Sequence, residues 1–232
     1  MTIYDLAALC GSSEKTGLIL NEMRERYFTL KYSEYDDEAD VRRLTGSAWA
    51  EEVMDIYEYL GIRLSNADIL YVGVGNGRDL PQVCPKFNSL TCIDLSEQML
   101  KQAAHIQPDL THARDSAETL TSIADDSADL YLSLRAYQSS LFDIPSALRQ
   151  LYRVLRTNGG FVISIPGGFL DRSGGELRYV PGLLVPGSSK SVDRARPRRF
   201  AHEILKHLDK MTFRRVGFHQ RGGDVYVYGR KA

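Results

Sequence analysis

The sequence predicts a doubly wound α/β fold whose sheet has seven mainly parallel strands, closed by a C-terminal antiparallel strand. Short apolar runs alternate with helical patterns from residue 68 onward, and a glycine-rich turn follows the first run. An alternating segment after Gly222-Gly223 predicts an antiparallel strand. The predicted strands are 68–73, 90–93, 110–113, 128–134 and 160–165, followed by a pair at about 212–218 and 224–228.

Helical patterns separate these strands. The predicted helices cover 79–86, 96–106, a short piece at 117–123, 143–156 and 198–210. The helix at 143–156 is marked most clearly, because Asp143 can cap it and Asn158-Gly159-Gly160 can end it. Right-handed crossovers place the carboxyl ends of parallel strands at one edge of the sheet, where ligands bind.

The chain divides into a helical N-terminal lid over residues 1–60 and one main domain over residues 61–232. In the lid, a helix from Ser47 to Leu60 is predicted to stop at Gly61. A segment rich in Gly, Pro, Ser and Arg at 166–197 is predicted to be a partly irregular insertion. Connections of this length are uncommon unless they are functional or disordered.

Composition excludes several classes of protein. The net charge of −1, with 43% hydrophobic and 25% charged residues, is typical of a globular protein and does not favour nucleic acid or a membrane. Three separated cysteines without a CxxC motif indicate free thiols and no metal site. Because no signal peptide or spanning segment is recognisable, we expect a cytoplasmic location. The oligomeric state cannot be inferred from the sequence.

The glycine-rich turn runs from Gly73 to Gly77 and lies between the apolar run at 69–72 and a predicted helix. Glycines permit left-handed backbone angles and let the main chain approach a ligand closely. The N–H groups of the helix beyond them point toward the same place. The turn therefore predicts a nucleotide-like ligand, although a tight turn without a ligand is the alternative.

An acid, Asp94, ends the second predicted strand beside this turn, where it can accept both hydroxyls of a ribose. The alternative is a cap on the following helix, for which Ser96 is equally suited. A dinucleotide fingerprint requires glycine at position 78, where this chain has Arg78. The spacing therefore disfavours NAD.

Four segments in this order carry a family resemblance. They are Ile69 to Gly77, Cys92 to Leu100, Ala113 to Leu120 with Asp126 to Leu130, and Leu151 to Gly160. Together they resemble the motifs of the class I S-adenosylmethionine (SAM)-dependent methyltransferases. The resemblance implies a Rossmann-like fold, SAM as cofactor and methyl transfer as the reaction.

The resemblance also implies roles for individual residues. The three glycines would line the methionine end of the cofactor, and Asp94 would hold the ribose. Leu95 would pack on the adenine, while Asp115, with Ser116 beside it, would accept from the adenine amino group. The segment after strand four would flank the methionine moiety. The implied cofactor residues are Gly73, Gly75, Gly77, Asp94, Leu95, Asp115, Ser116, Leu134 and Arg135. A turn cap is the alternative for Asp115, and core packing for Leu95.

One departure from the family concerns Tyr71, which stands where the family usually has an acid that orients the methionine amino group. Asp68 is three residues upstream, an odd offset that places it on the opposite face of the strand. Either a lid residue such as Tyr35 or Asp36 substitutes for the acid, or cofactor affinity is weaker.

Acceptor residues are expected from the lid, the loop after strand four and the insertion. Tyr137 is the candidate catalytic residue and, with Gln138, a candidate for substrate binding; packing against the next helix is the alternative. Tyr27 and Tyr35 could form an aromatic wall over a flat substrate or pack on the domain.

The predicted function is methyl transfer from SAM to nitrogen or oxygen of a small molecule, with a natural-product or heteroaromatic intermediate as the leading class. Such a displacement requires orientation and shielding rather than a fixed catalytic triad. One alternative is RNA or protein methylation through the basic segment 190–221. Another is a SAM- or S-adenosylhomocysteine (SAH)-binding protein without catalytic activity.

Overall fold

The computed structural model describes residues 44–137, 143–171, 175–185 and 191–232. The helices within these ranges are α1 Ala48–Leu60, α2 Leu80–Val83, α3 Glu97–Ile106, α4 Ile144–Val154 and α5 Arg196–Leu208. The strands are β1 Asp68–Val72, β2 Ser89–Asp94, β3 Thr111–Arg114, β4 Ala128–Ser133, β5 Leu155–Pro166, β6 Gly168–Asp171, β7 Arg178–Pro181, β8 Leu183–Leu184, β9 Val192–Asp193, β10 Phe213–Arg221 and β11 Asp224–Lys231.

Seven of these strands form one sheet in the order β10-β11-β5-β4-β1-β2-β3. Strand β11 is antiparallel to both β5 and β10, whereas the pairs β5–β4, β4–β1, β1–β2 and β2–β3 are parallel. The predicted seven-stranded, mainly parallel sheet with a C-terminal antiparallel strand is therefore confirmed. Strand order reverses at β1, so the ends of β1 and β4 flank the position where such sheets bind ligands.

The core has two layers because consecutive residues of β1 point to opposite faces of the sheet. Ile69 and Tyr71 pack with α1, α2 and α3 on one face, and Leu70 and Val72 pack with α4 and α5 on the other. This arrangement explains why the strand is an unbroken apolar run rather than an alternating one.

Helix α1 follows the pattern predicted for it. Val53, Ile56, Tyr57 and Leu60 are buried at helical spacing, and Gly61 ends the helix with a left-handed φ of 69°. The helix lies against β5, β10 and β11. Residues 1–43 of the predicted lid lie outside the described residues, so the division at residue 60 stays a prediction.

Helix α4 begins as predicted but ends earlier. The Asp143 carboxylate accepts a hydrogen bond from the Ser146 N–H at 3.0 Å, as expected of an N-cap. The helix ends at Val154, and β5 starts at Leu155. The prediction that Asn158-Gly159-Gly160 ends the helix was wrong, because this segment already belongs to β5, where the β4–β5 register is irregular.

Three further elements differ from the sequence prediction. Residues 117–123 form turns instead of the predicted short helix. The insertion at 166–197 is more regular than expected in its described parts, since β6 pairs with β7 and β8 pairs with β9 as two small antiparallel hairpins. Helix α2 is shorter than predicted and covers only Leu80–Val83.

Candidate cofactor site at the carboxyl edge of the sheet

The glycine turn leaves the carboxyl end of β1 with three left-handed residues. The φ angles of Gly73, Gly75 and Gly77 are 72°, 58° and 75°. The N–H groups of Gly73 and Val74 both donate to the carbonyl of Ile93, at 2.7 and 3.2 Å. The turn is thereby attached to β2, the strand that ends in Asp94.

The three glycines have different surroundings. A Cβ atom at Gly73 would lie 2.6 Å from the Cβ of Ala136, and one at Gly77 would lie 2.7 Å from Ala103 of α3. A Cβ at Gly75 would meet nothing within 4 Å. Gly73 and Gly77 therefore permit close packing, whereas Gly75 leaves the backbone open on the side where a Cβ would project.

Asp94 joins the turn to the start of α3. One carboxylate oxygen accepts from the Gly75 N–H at 2.9 Å, and the other accepts from the Ser96 N–H at 2.9 Å. Ser96 itself caps α3 by accepting from the Met99 N–H at 3.4 Å. Because a carboxylate offers about four lone-pair positions, Asp94 has acceptor capacity for ribose hydroxyls beyond these two bonds.

Asp115 has a mainly local function in this structure. Its carboxylate accepts hydrogen bonds from Ser116, Thr119, Thr121 and Ser122. Burial alone would raise the pKa of Asp115, but the hydrogen bonds outweigh it and hold the pKa below its ordinary value. These bonds fill the acceptor capacity of the carboxylate, so the geometry supports the turn-cap alternative over a contact with adenine.

Arg135 makes hydrogen bonds with residues of β5 and β11. Its guanidinium donates to the Asp224 carboxylate at 2.7 Å, and its N–H donates to the Ser164 hydroxyl at 2.9 Å. Ser164 also donates to Asp224, which is fully buried. Sequence reasoning missed Ser164 and Asp224, for which the available signal was a polar residue within or beside an apolar run, at 161–165 and 225–227.

The predicted residues around Arg135 differ in exposure. Leu134 is buried in the core, whereas Leu95 is half-buried beside Asp94. Tyr137 is completely buried, and its hydroxyl lies 3.0 Å from that of Tyr131. Burial raises the pKa of the Tyr137 phenol, so it stays protonated. This position supports the packing alternative for Tyr137. Gln138, Tyr27 and Tyr35 lie outside the described residues.

Tyr71 has a buried acidic partner that the sequence did not reveal. Its hydroxyl donates to the Asp79 carboxylate at 2.6 Å. Asp68, in contrast, lies at the amino end of β1, where it bonds to Arg156 at 2.8 Å. Tyr71 is therefore in direct contact with an acid, Asp79, just beyond the glycine turn.

Metal ligands are not clustered in the described residues, where no group of three or more His, Cys, Asp or Glu side chains is placed to hold an ion. Cys84 and Cys92 are buried free thiols. None of the helices in the described ranges is long and apolar enough to cross a membrane.

Comparisons with known proteins agree with this geometry. Residues 70–163 match the family model described as a methyltransferase domain. Among curated proteins, no sequence matches this chain. A SAM-dependent methyltransferase from Aquifex aeolicus shares the fold with a TM-score of 0.57 and 16% identity, over 85% of this chain and 100% of that one.

Two further solved structures are similar. An S-adenosylmethionine-dependent methyltransferase from Mesorhizobium loti has a TM-score of 0.54 and 18% identity, over 78% of this chain and 98% of that one. Phosphoethanolamine N-methyltransferase 2 of Haemonchus contortus, in complex with S-adenosyl-L-methionine, has a TM-score of 0.53 and 21% identity, over 73% of this chain and 38% of that one. Residues 70–163 therefore match a methyltransferase domain, and the chain shares the fold of SAM-dependent methyltransferases.

Proposed function

We propose that the chain transfers a methyl group from SAM to nitrogen or oxygen of a small molecule, with a natural-product or heteroaromatic intermediate as the leading class. The observation that carries this proposal is the folding of the insertion back over the carboxyl end of β5 and the adjacent amino end of β11. The Tyr179 hydroxyl donates to the Gly223 carbonyl at 2.6 Å, and the Gly182 N–H donates to the Gly167 carbonyl at 2.7 Å. An edge covered in this way suits a small acceptor better than a polymer.

The cofactor side of the proposed site is the half of the edge formed by β1, β2 and β3. Gly75 offers the open backbone position, and Asp94 offers carboxylate oxygens beside it. Leu95 would contact the adenine, while Asp115 orders the turn around Ser116. The bound cofactor supplies the activated methyl group, and the protein's task is to hold donor and acceptor in line and away from water.

The acceptor side lies over the ends of β4, β5 and β11. There the buried Asp224 fixes the Arg135 guanidinium at 2.7 Å and accepts from Ser164 at 3.1 Å. A buried, hydrogen-bonded polar cluster at the ligand edge supports a polar acceptor, since its groups are held in one orientation. A base is required only where the attacking atom must lose a proton. The assignments of Tyr27, Tyr35 and Gln138 to the substrate stay predictions.

The distribution of the basic residues argues against the RNA alternative. Arg199 pairs with Asp193 and Arg198 donates to Gln220, both near the start of α5. Arg214 and Arg215 lie at the other end of β10, where they donate to Asn158 and to the Tyr59 carbonyl. A nine-residue strand spans about 30 Å, so the basic segment does not form one continuous surface.

The function is tested by incubating the protein with SAM labelled in its methyl group and a cell lysate. The proposal expects label in the low-molecular-mass fraction. Label in RNA or in protein would support those alternatives and contradict this one. Bound SAM without any transfer would favour the non-catalytic alternative.

The cofactor assignment is tested with Asp94→Asn. If Asp94 binds the ribose, the loss of its charge should weaken SAM binding by about 1–3 kcal/mol. The matched control is Asp68→Asn, which alters an acid at the opposite end of the neighbouring strand. Calorimetry should show weaker SAM binding for Asp94→Asn than for the wild type and for Asp68→Asn. If Asp94→Asn binds SAM as tightly as the wild type, the ribose assignment is wrong.

A further inference from the structure

A buried hydrogen bond closes the two ends of the glycine turn. Tyr71 stands two residues before Gly73, and Asp79 stands two residues after Gly77. The Tyr71 hydroxyl donates to the Asp79 carboxylate at 2.6 Å, and the two residues are only 1% and 7% exposed. The bond therefore connects the end of β1 to the start of α2 beneath the turn.

The direction of the Asp79 side chain is unusual for its position. Asp79 occupies the N-cap of α2, yet its side chain makes no capping hydrogen bond. An aspartate at this place ordinarily accepts from the first N–H groups of the helix. Here the carboxyl group turns inward and accepts a short hydrogen bond of 2.6 Å from Tyr71. Burial of a carboxylate is costly without such partners.

The turn between these two residues is rich in glycine and has little intrinsic conformational preference. Glycine loses more conformational freedom on ordering than any other residue. The other constraints act at separate points along the turn. The Gly73 and Val74 N–H groups donate to the Ile93 carbonyl, and the Gly75 N–H donates to Asp94. Gly73 and Gly77 also pack closely on Ala136 and Ala103. The Tyr71–Asp79 bond fixes both ends of the turn at once. A turn that is already ordered binds its ligand without the cost of ordering it.

We infer that Tyr71 is a positioning residue for cofactor binding, which acts through Asp79 to hold the glycine turn in its binding conformation. Position 71 is where the resemblance implies an acid. This chain has a tyrosine there, and the carboxyl group that the tyrosine contacts belongs to the N-cap of α2. The inference rests on cofactor binding and is independent of which acceptor is methylated.

Tyr71→Phe removes the hydroxyl and retains the ring. We expect its dissociation constants for SAM and SAH to rise by roughly tenfold, the range for one hydrogen bond to a charged group. The matched control is Tyr131→Phe, which removes another buried tyrosine hydrogen bond, to Tyr137 at 3.0 Å, on the opposite face of the sheet. Both variants should lose similar thermal stability, but the control should bind SAM like the wild type.

A second pair of variants separates positioning from general destabilisation. Asp79→Asn keeps an acceptor for the Tyr71 hydroxyl and should retain most of the affinity, whereas Asp79→Leu should reproduce Tyr71→Phe. Combining Tyr71→Phe with Asp79→Leu should add little further loss. Amide hydrogen exchange at Gly75 and Gly77 should accelerate in Tyr71→Phe and not in Tyr131→Phe. Unchanged SAM affinity in Tyr71→Phe, or equal losses in both phenylalanine variants, would overturn the inference.

Discussion

At the scale of single residues, similar backbone angles serve different purposes. Gly75 and Gly77 both have left-handed φ angles, of 58° and 75°. Around Gly75 there is open space, whereas Gly77 faces the backbone of Ala103. One glycine therefore matters for the ligand and the other for the packing of α3.

Alanine at each position separates these purposes. Both variants carry the left-handed cost of an L-residue, about 1–2 kcal/mol. Gly77→Ala additionally clashes at 2.7 Å with Ala103, so it should have the lower melting temperature. Gly75→Ala places a methyl group in the open space, so it should lose SAM affinity with a smaller loss of stability. Thermal unfolding with calorimetry checks both, and the reverse order of stabilities would refute the packing argument.

A second residue-scale prediction concerns Tyr57. Its hydroxyl is buried and has no hydrogen-bond partner among the residues that the structure describes. Burial first, and then the neighbouring Cys84 and Asp79, raise the pKa of this phenol, which stays neutral. Removal of an unsatisfied buried group is favourable, so Tyr57→Phe should raise the free energy of unfolding by about 1 kcal/mol. A loss of stability in urea unfolding would contradict this expectation.

At the scale of elements, a charged cluster joins three strands at the amino edge of the sheet, opposite the ligand. Arg156 of β5 donates to Asp68 of β1 and to Asp129 of β4, each at 2.8 Å. Hydrogen bonds from Ser89, Arg156 and Asn88, in that order, lower the pKa of Asp68 to about 2. The cluster fixes the ends of neighbouring strands and leaves the opposite edge for chemistry.

The lowered pKa of Asp68 predicts an acid-dependent stability. A carboxyl whose pKa is lower in the folded state stabilises the fold above its unfolded pKa of about 4. This contribution is lost as the pH falls toward about 2, the folded value. The free energy of unfolding, measured in urea, should therefore fall as the pH is lowered between these two values. This fall should be shallower in Asp68→Asn than in the wild type. The exposed Asp109→Asn is the control, and an unchanged decline in Asp68→Asn would contradict the assignment.

Elements governed by local patterns were predictable, whereas partners supplied by distant segments were not. The apolar run of β1, the glycines after it and the cap at Asp143 all depend on neighbouring residues. The Arg135–Asp224 pair joins residues 89 positions apart. The Tyr71–Asp79 bond spans only the glycine turn, but it depends on the three-dimensional course of that turn. The hairpins of the insertion were missed because their strands are short and lack a strong alternating pattern.

At the scale of the whole molecule, the carboxyl edge of the sheet divides into two halves. Asp94 and the glycine turn form one half, and Arg135 with Asp224 forms part of the other. The topology produces this division, because strand order reverses at β1 and β4. A donor and an acceptor bound on the two halves would meet above the ends of these strands.

The charge distribution at this scale predicts weak RNA binding. The net charge is −1, and the basic segment is split between opposite ends of β10. Fluorescence anisotropy with a single-stranded RNA at several salt concentrations should give low affinity and a shallow salt dependence. Tight binding that falls steeply with salt would reveal many phosphate contacts and restore the RNA alternative.

The most direct test of the central claim is calorimetric titration of the wild-type protein with SAM, with NAD as the comparison ligand. Asp94 beside an open Gly75 and the methyltransferase domain match at 70–163 predict binding of SAM at one site per chain. Arg78 in place of a third fingerprint glycine predicts no binding of NAD. Binding of NAD, or no heat with SAM, would contradict the account.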